Sequence, residues 1–243
     1  MHTLITLSFI GTQYHGFQVQ KNALSVCEVL QNAMEKLYGT RPDVKGCSRT
    51  DAGVHAVGYC VSYTQPKPIT PYKLPLALNR YLPPDIRVTK AQEVAENFHA
   101  RYDSLSKEYL YRIHNSALDD VFQTGLCWRC TPHLELKPMQ EAARLLCGTH
   151  DYAAFMSAGS KIEDTVRTVY FFNVTQEGND LTFHICANGY LYNMVRILVG
   201  TLVEVGMGHL PPHAVVAAME SKNSANAGDT VAAQGLFLYK VNY

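Results

Sequence analysis

The stretch from Tyr190 to Val205, YLYNMVRILVGTLVEV, has the length of a helix and is apolar on nearly every side. Such a helix has no face to give to water, so other elements must surround it, and that requires a sizeable folded core. It is too short to span a bilayer, and no other apolar run approaches the necessary length. A chain of 243 residues that is 47% hydrophobic and 10% aromatic can supply that core, as one large domain or two modest ones. Met1 to Ile10 alternates polar with apolar residues and does not form a signal-peptide core. The mature protein is therefore expected to start near Met1, to contact no membrane and to stay in the cytoplasm.

Periodicity along the chain predicts alternating strands and helices. Leu4, Leu7 and Phe9 suit an opening strand, and a turn follows at Gly11 to Gly16. Ser25 opens a helix with a capping-box signature, Glu28 at the third helical position, and Gly39 closes it. Strands are expected at Val57 to Tyr63 and Ile86 to Ala91, with a short helix at Tyr72 to Tyr81 before Pro83 and Pro84. Beyond Lys107, Tyr109, Tyr111 and Ile113 share one strand face while Leu110, Arg112 and His114 share the other. A helix at Pro138 to Cys147 stops at Gly148. A hairpin pairs Val166 to Thr175 with Leu181 to Ala187. The apolar helix, a last helix after Pro211-Pro212 and a strand at Gly235 to Val241 complete the chain. These patterns imply an N-terminal half over residues 1–103 and a C-terminal half over 104–243, without a low-complexity linker. A cleft between such halves is the default place for a site.

Known cofactor and hydrolase motifs are missing: there is no P-loop, GxGxxG, HExxH or GxSxG. Seven cysteines without a secretion signal read as reduced thiols. Cys127 and Cys130 form a CxxC near His133, but no second ligand pair follows, so no metal is expected and the cysteines read as small strand residues beside Trp128. Net charge is zero, with 21 basic and 21 acidic residues, which excludes only a globally basic nucleic-acid binder. Local basic residues, Lys21, Lys45, Arg49, Arg80, Arg101, Lys107 and Arg112, are either an RNA surface or scattered solvated charges.

The segment Lys45 to Val61, KGCSRTDAGVHAVGYCV, sets Arg, Asp and His among small residues just before a strand. Gly53 permits a tight turn, Ala52 and Ala56 leave room, and Arg49 is close enough in sequence to stabilise an ionised Asp51. The same pattern also fits an ordinary turn with Asp51 as a local cap. Arg196 favours a catalytic reading, because a guanidinium inside the apolar helix must be paired, and Asp51 or Glu204 are the carboxylates considered, unless Arg196 reaches the surface. Tyr109 and Tyr111 offer flat rings suited to a nucleobase, a weak signal among fifteen tyrosines.

RTDAGVHA, Arg49 to Ala56, closely resembles the signature of the tRNA pseudouridine synthase A family. Supporting matches are Gly16-Phe17-Gln18, Phe98-His99-Ala100-Arg101, Lys107 to Ile113 (KEYLYRI), Met194-Val195-Arg196, Val199-Gly200-Thr201, Glu204-Val205-Gly206 and Gly235-Leu236-Phe237-Leu238. The resemblance implies an α+β pseudouridine synthase fold, two related halves around an extended, mostly antiparallel sheet with a catalytic cleft between them. It also implies a cofactor-free homodimer that isomerises uridine to pseudouridine in the anticodon arm of tRNA. By the same resemblance Asp51 is the nucleophile, Tyr109 contacts the target uridine, Arg49 enters the RNA and assists base extrusion, and Arg196 pairs with the catalytic carboxylate. The chain departs from the family pattern at Ile10, Ser48, Phe17 and Tyr59, where Asp, Gly, Trp and Gln are usual. The rival readings are a catalytically silent RNA-binding member of the same fold and a metal-assisted hydrolase using Asp51, His55 and His99.

Overall fold

The computed structural model describes residues 1–160 and 162–243. In chain order its elements are β1 (His2–Phe9), α1 (Val26–Tyr38), β2 (Lys45–Gly46), β3 (His55–Thr64), α2 (Leu74–Asn79), β4 (Ile86–Glu93), β5 (Ser106–Asn115), β6 (Trp128–Cys130), α3 (Leu136–Leu145), β7 (Gly148–Asp151), β8 (Val166–Glu177), β9 (Asp180–Ala187), α4 (Met194–Gly206), α5 (Ala214–Ser221) and β10 (Leu236–Asn242). Short 3₁₀ turns join several of them. The chain divides into two compact units, Met1–Leu105 with Phe237–Tyr243, and Ser106–Leu236.

In the first unit the strands lie in the order β4, β1, β3, β10, with β2 on β3. Pairing is antiparallel except where β10 runs parallel to β3, Phe237 opposite His55 and Leu238 opposite Ala56. Helix α1 forms because its start, face and stop agree. The Ser25 side chain accepts from the Glu28 amide at 3.2 Å, Val26, Leu30, Ala33 and Met34 are buried, and Gly39 ends the helix in the left-handed region. Ile5, Leu7, Tyr59, Val61, Leu74 and Leu78 complete the core of this unit. Each such side chain contributes about 1.5–3 kcal/mol by leaving water. Tyr38 and Tyr63 bury their hydroxyls as a pair 2.9 Å apart, which avoids the penalty of unpaired polar groups.

The second unit has the order β5, β9, β8, β7, all antiparallel, with β6 parallel to β5. Helices α3 and α4 pack on one another, and α3 also lies against β8. Every residue of α4 is buried except Arg196 and Glu204, as a helix apolar all round requires. The helix starts four residues later than its apolar run. Asn193 adopts φ +59°, a left-handed conformation that an α-helix cannot contain, and Tyr190 turns its hydroxyl to the Lys107 carbonyl at 2.8 Å. Likewise α2 is shorter than Tyr72 to Tyr81, and α3 begins two residues before Pro138, whose missing amide is harmless in a first turn. The architecture is mixed α+β with mostly antiparallel strands, as the family resemblance implies.

Candidate active site

Asp51 lies in the loop between β2 and β3, and that loop is shaped by its own turn and by the segment after β1. The Val54 amide donates to the Asp51 carbonyl at 3.2 Å, closing a β-turn through Ala52 and Gly53. Its third residue, Gly53, has φ +79°, which glycine adopts without strain. The Gly53 amide donates to the Tyr14 carbonyl at 3.1 Å. At Gly16, φ is +76° and a side chain would place its Cβ 2.1 Å from the Thr50 carbonyl oxygen, so only glycine lets the two backbones touch there. The Gly11 amide donates to Nδ1 of the buried His55 at 2.9 Å, fixing the entry to β3. The loop carrying Asp51 is therefore held by backbone at Thr50 and Gly53, whereas Asp51 itself stays half-buried.

The supporting segment is anchored in turn. Tyr14 is buried, and its hydroxyl donates to both Asp85 carboxylate oxygens, at 3.0 and 3.1 Å. Burial first, and then the Asp85 hydrogen bond and charge, push the Tyr14 hydroxyl up to about 12, so it stays a donor at neutral pH. The Ile10 amide donates to the Asp85 carbonyl at 2.9 Å. Sequence reasoning passed over Tyr14 and Asp85, because neither stands beside Asp51 in the chain and no motif marks them. Arg49 shares the Asp51 loop and is exposed. Between them the Thr50 hydroxyl is buried with no hydrogen-bond partner among the described residues, a cost of about 1–3 kcal/mol if it stays unpaired. His99 accepts from the Arg101 amide at 3.1 Å and so shapes its own turn, while His55 packs against the Phe237 ring at 4.6 Å.

In the second unit Tyr109 occupies β5 opposite Ile185, with 6% of its surface exposed. Tyr190 meets its ring edge-on, centroids 4.9 Å apart, and locks it in one orientation. Tyr111, on the same face of β5, is committed elsewhere, since its hydroxyl donates to the Ala232 carbonyl at 2.7 Å. Burial raises the Tyr111 hydroxyl, and the nearby Arg196 charge works against that rise. Arg196 is half-buried, its Nε donating to the Val231 carbonyl at 2.7 Å and its Nη1 to the Asn193 side chain at 3.0 Å. Glu204, the carboxylate on the same helix, pairs instead with His209 at 2.8 Å.

Cys127 and Cys130 are buried at and beside the short strand β6, and their thiols are raised first by burial. His133 turns away to Glu135 at 3.1 Å. Among the described residues no group of three or more His, Cys, Asp or Glu side chains is placed to hold a metal ion.

The sequence profile of a family described as tRNA pseudouridine synthase matches residues 5–103 and 142–243. A tRNA pseudouridine synthase A from Thermoanaerobacter sp. (strain X514) is 42% identical over 242 residues, covering 100% of this chain and 99% of that protein. The chain belongs to the tRNA pseudouridine synthase A family. A second tRNA pseudouridine synthase A, from Ruminiclostridium cellulolyticum, is 41% identical and covers 98% of both chains. A third, from Bacillus licheniformis, is 38% identical over 100% of this chain and 99% of its own length. Membership in tRNA pseudouridine synthase A, an isomerase family, accounts for the resemblance carried by RTDAGVHA. Asp51, Arg49 and Arg196 lie within the profile match, and Tyr109 falls between its two segments.

Proposed function

We propose that this chain isomerises uridine to pseudouridine in the anticodon arm of tRNA, with Asp51 as the attacking carboxylate. The reaction breaks the bond from uracil N1 to the ribose, turns the base and joins C5 to the same carbon. The C5 proton is released, N1 gains one, and no net redox change occurs. The observation that carries this reading is the backbone-held loop of Asp51, in a chain similar over its whole length to proteins named tRNA pseudouridine synthase A. A nucleophile needs a fixed position more than it needs neighbours, because effective molarity falls steeply with misplacement. The test is release of tritium from tRNA labelled at uridine C5, followed by mapping of the modified positions. Release with the label lost from anticodon-arm uridines is expected. A folded protein that releases none would leave only RNA binding, and release from other positions would reject the site choice.

The other residues divide the remaining work. Extruding a stacked uridine costs a few kcal/mol, and the exposed Arg49 is proposed to enter the RNA and occupy the vacated space. Tyr109, its ring held by Tyr190, is proposed to contact the extruded uracil. Arg196 is proposed to serve the catalytic carboxylate. Changing Arg196 to Met keeps an apolar stem of similar length in α4 and removes the guanidinium. Activity is expected to fall about 100-fold with the circular dichroism spectrum unchanged; full activity in the folded variant would reject the role. We further propose that the enzyme works in the cytoplasm as a homodimer, which would join the modest basic surfaces of two neutral chains into one RNA groove. Sedimentation at assay concentration should give a dimer, and a fully active monomer would refute this.

A further inference from the structure

Behind the Asp51 loop lies a cluster that the reaction itself does not require. Tyr59, in β3, is fully buried, and its ring stacks on Phe17 with centroids 4.2 Å apart and planes 22° from parallel. Phe9 packs against it from another side at 5.7 Å. The Tyr59 hydroxyl donates to the Ser48 carbonyl, and the Ser48 amide donates in turn to the Tyr59 hydroxyl oxygen at 3.4 Å. Next to Ser48, the Cys47 amide donates to the Cys60 carbonyl at 2.9 Å. Phe17 follows Gly16, the residue that rests on the Thr50 carbonyl. The stacked pair thus reaches the loop twice, through Tyr59 at Ser48 and through Phe17 and Gly16 at Thr50, on either side of Arg49. There is no slack around it, for a Cβ on Gly46 would fall 2.4 Å from the Tyr59 hydroxyl oxygen and 2.6 Å from the Phe17 ring. Phe17, Ser48 and Tyr59, far apart in the chain, are brought by the fold into one contact.

We propose that Tyr59 is a positioning residue, whose hydroxyl, held in place by the Phe17 ring, fixes Ser48 and through it the Arg49 to Asp51 segment. Tyr59 touches no reacting atom; it acts by limiting where the Asp51 carboxylate can be. The inference rests on Asp51 being the catalytic carboxylate. A group of this kind should affect the chemical step more than RNA binding, since a small misplacement at the reacting centre weakens the rate far more than the many contacts to phosphate.

The test is Tyr59→Phe, which keeps the stacked ring and removes only the hydroxyl. Single-turnover tritium release, with enzyme in excess over labelled tRNA, is compared with tRNA affinity by filter binding. With folded enzyme kept well above both the tRNA concentration and the dissociation constant, an unfolded fraction does not lower the observed rate, so loss of stability alone leaves it unchanged. The expected result is a rate reduced about tenfold with affinity within about twofold of the parent. Phe17→Leu retains the hydroxyl but removes the ring beneath it, and should lower the rate about threefold. Asp51→Asn is run alongside. If Tyr59→Phe keeps the parent rate while Asp51→Asn is inactive, the positioning role is overturned and the catalytic assignment stands. If Asp51→Asn is active, the catalytic assignment itself fails. Should Tyr59→Phe not fold, Phe17→Leu decides, and a parent-like rate from it overturns the proposal.

Discussion

Asp51→Asn is expected to abolish pseudouridine formation while leaving the protein folded and able to bind tRNA. Asparagine has nearly the same size and shape, so the turn closed by the Val54 amide on the Asp51 carbonyl, a main-chain contact, survives the change. Asp51 is half-buried in a loop whose main-chain hydrogen bonds the near-isosteric substitution leaves in place, so the cost in stability is expected to stay within about 0.5–3 kcal/mol and the chain to remain folded. The loss is chemical: a neutral amide neither attacks a carbon nor accepts a proton at neutral pH. Removal of a nucleophile from a catalytic unit lowers rate by at least on the order of 10⁴-fold. Tritium release from labelled tRNA measures the rate, and filter binding shows whether the RNA is still held. Detectable turnover by a homogeneous preparation of this variant would remove Asp51 from the mechanism and return it to the role of an ordinary loop carboxylate.

Gly16→Ala should damage both stability and activity, although Gly16 lies 35 positions before Asp51. Two penalties combine there. A left-handed φ of +76° costs a non-glycine residue about 1–2 kcal/mol. The added methyl would sit 2.1 Å from the Thr50 carbonyl oxygen, and since that neighbour is backbone, the loop itself must shift, at a further cost of about 1–3 kcal/mol. A total near 3 kcal/mol lowers the melting temperature of a chain this size by about 6–12 °C. What shifts is the residue before Asp51, so kcat/KM should fall about 100-fold at a temperature where the variant is folded. A variant with parent-like melting and rate would show that the Gly16 contact does not hold the loop.

These two expectations draw on different kinds of information. RTDAGVHA was legible in the chain because a catalytic loop concentrates its chemistry in consecutive residues. Helix α1 was legible for a similar reason: the Ser25 cap, the buried face and Gly39 are all local, and local signals suffice when the element satisfies its own backbone. The two-residue β2 was not, since it exists only as a partner for Ser62 and Val61 of β3. The placement of β10 was equally hidden. Its alternation marks a strand, but only folding sets it parallel to β3, far away in the chain.

Local signals along the chain were enough for the class of protein, the loop that carries Asp51 and the burial of α4, because apolar periodicity, caps and a contiguous motif act over a few residues. What holds that loop emerged in the folded chain alone: the Tyr14 carbonyl on the Gly53 amide, the Gly16 backbone on Thr50, and the stacked Phe17 and Tyr59 behind Ser48. Those contacts join residues tens of positions apart through main-chain atoms and ring faces. Backbone carbonyls and amides are the same in every residue, so no letter in the sequence distinguishes the ones that meet.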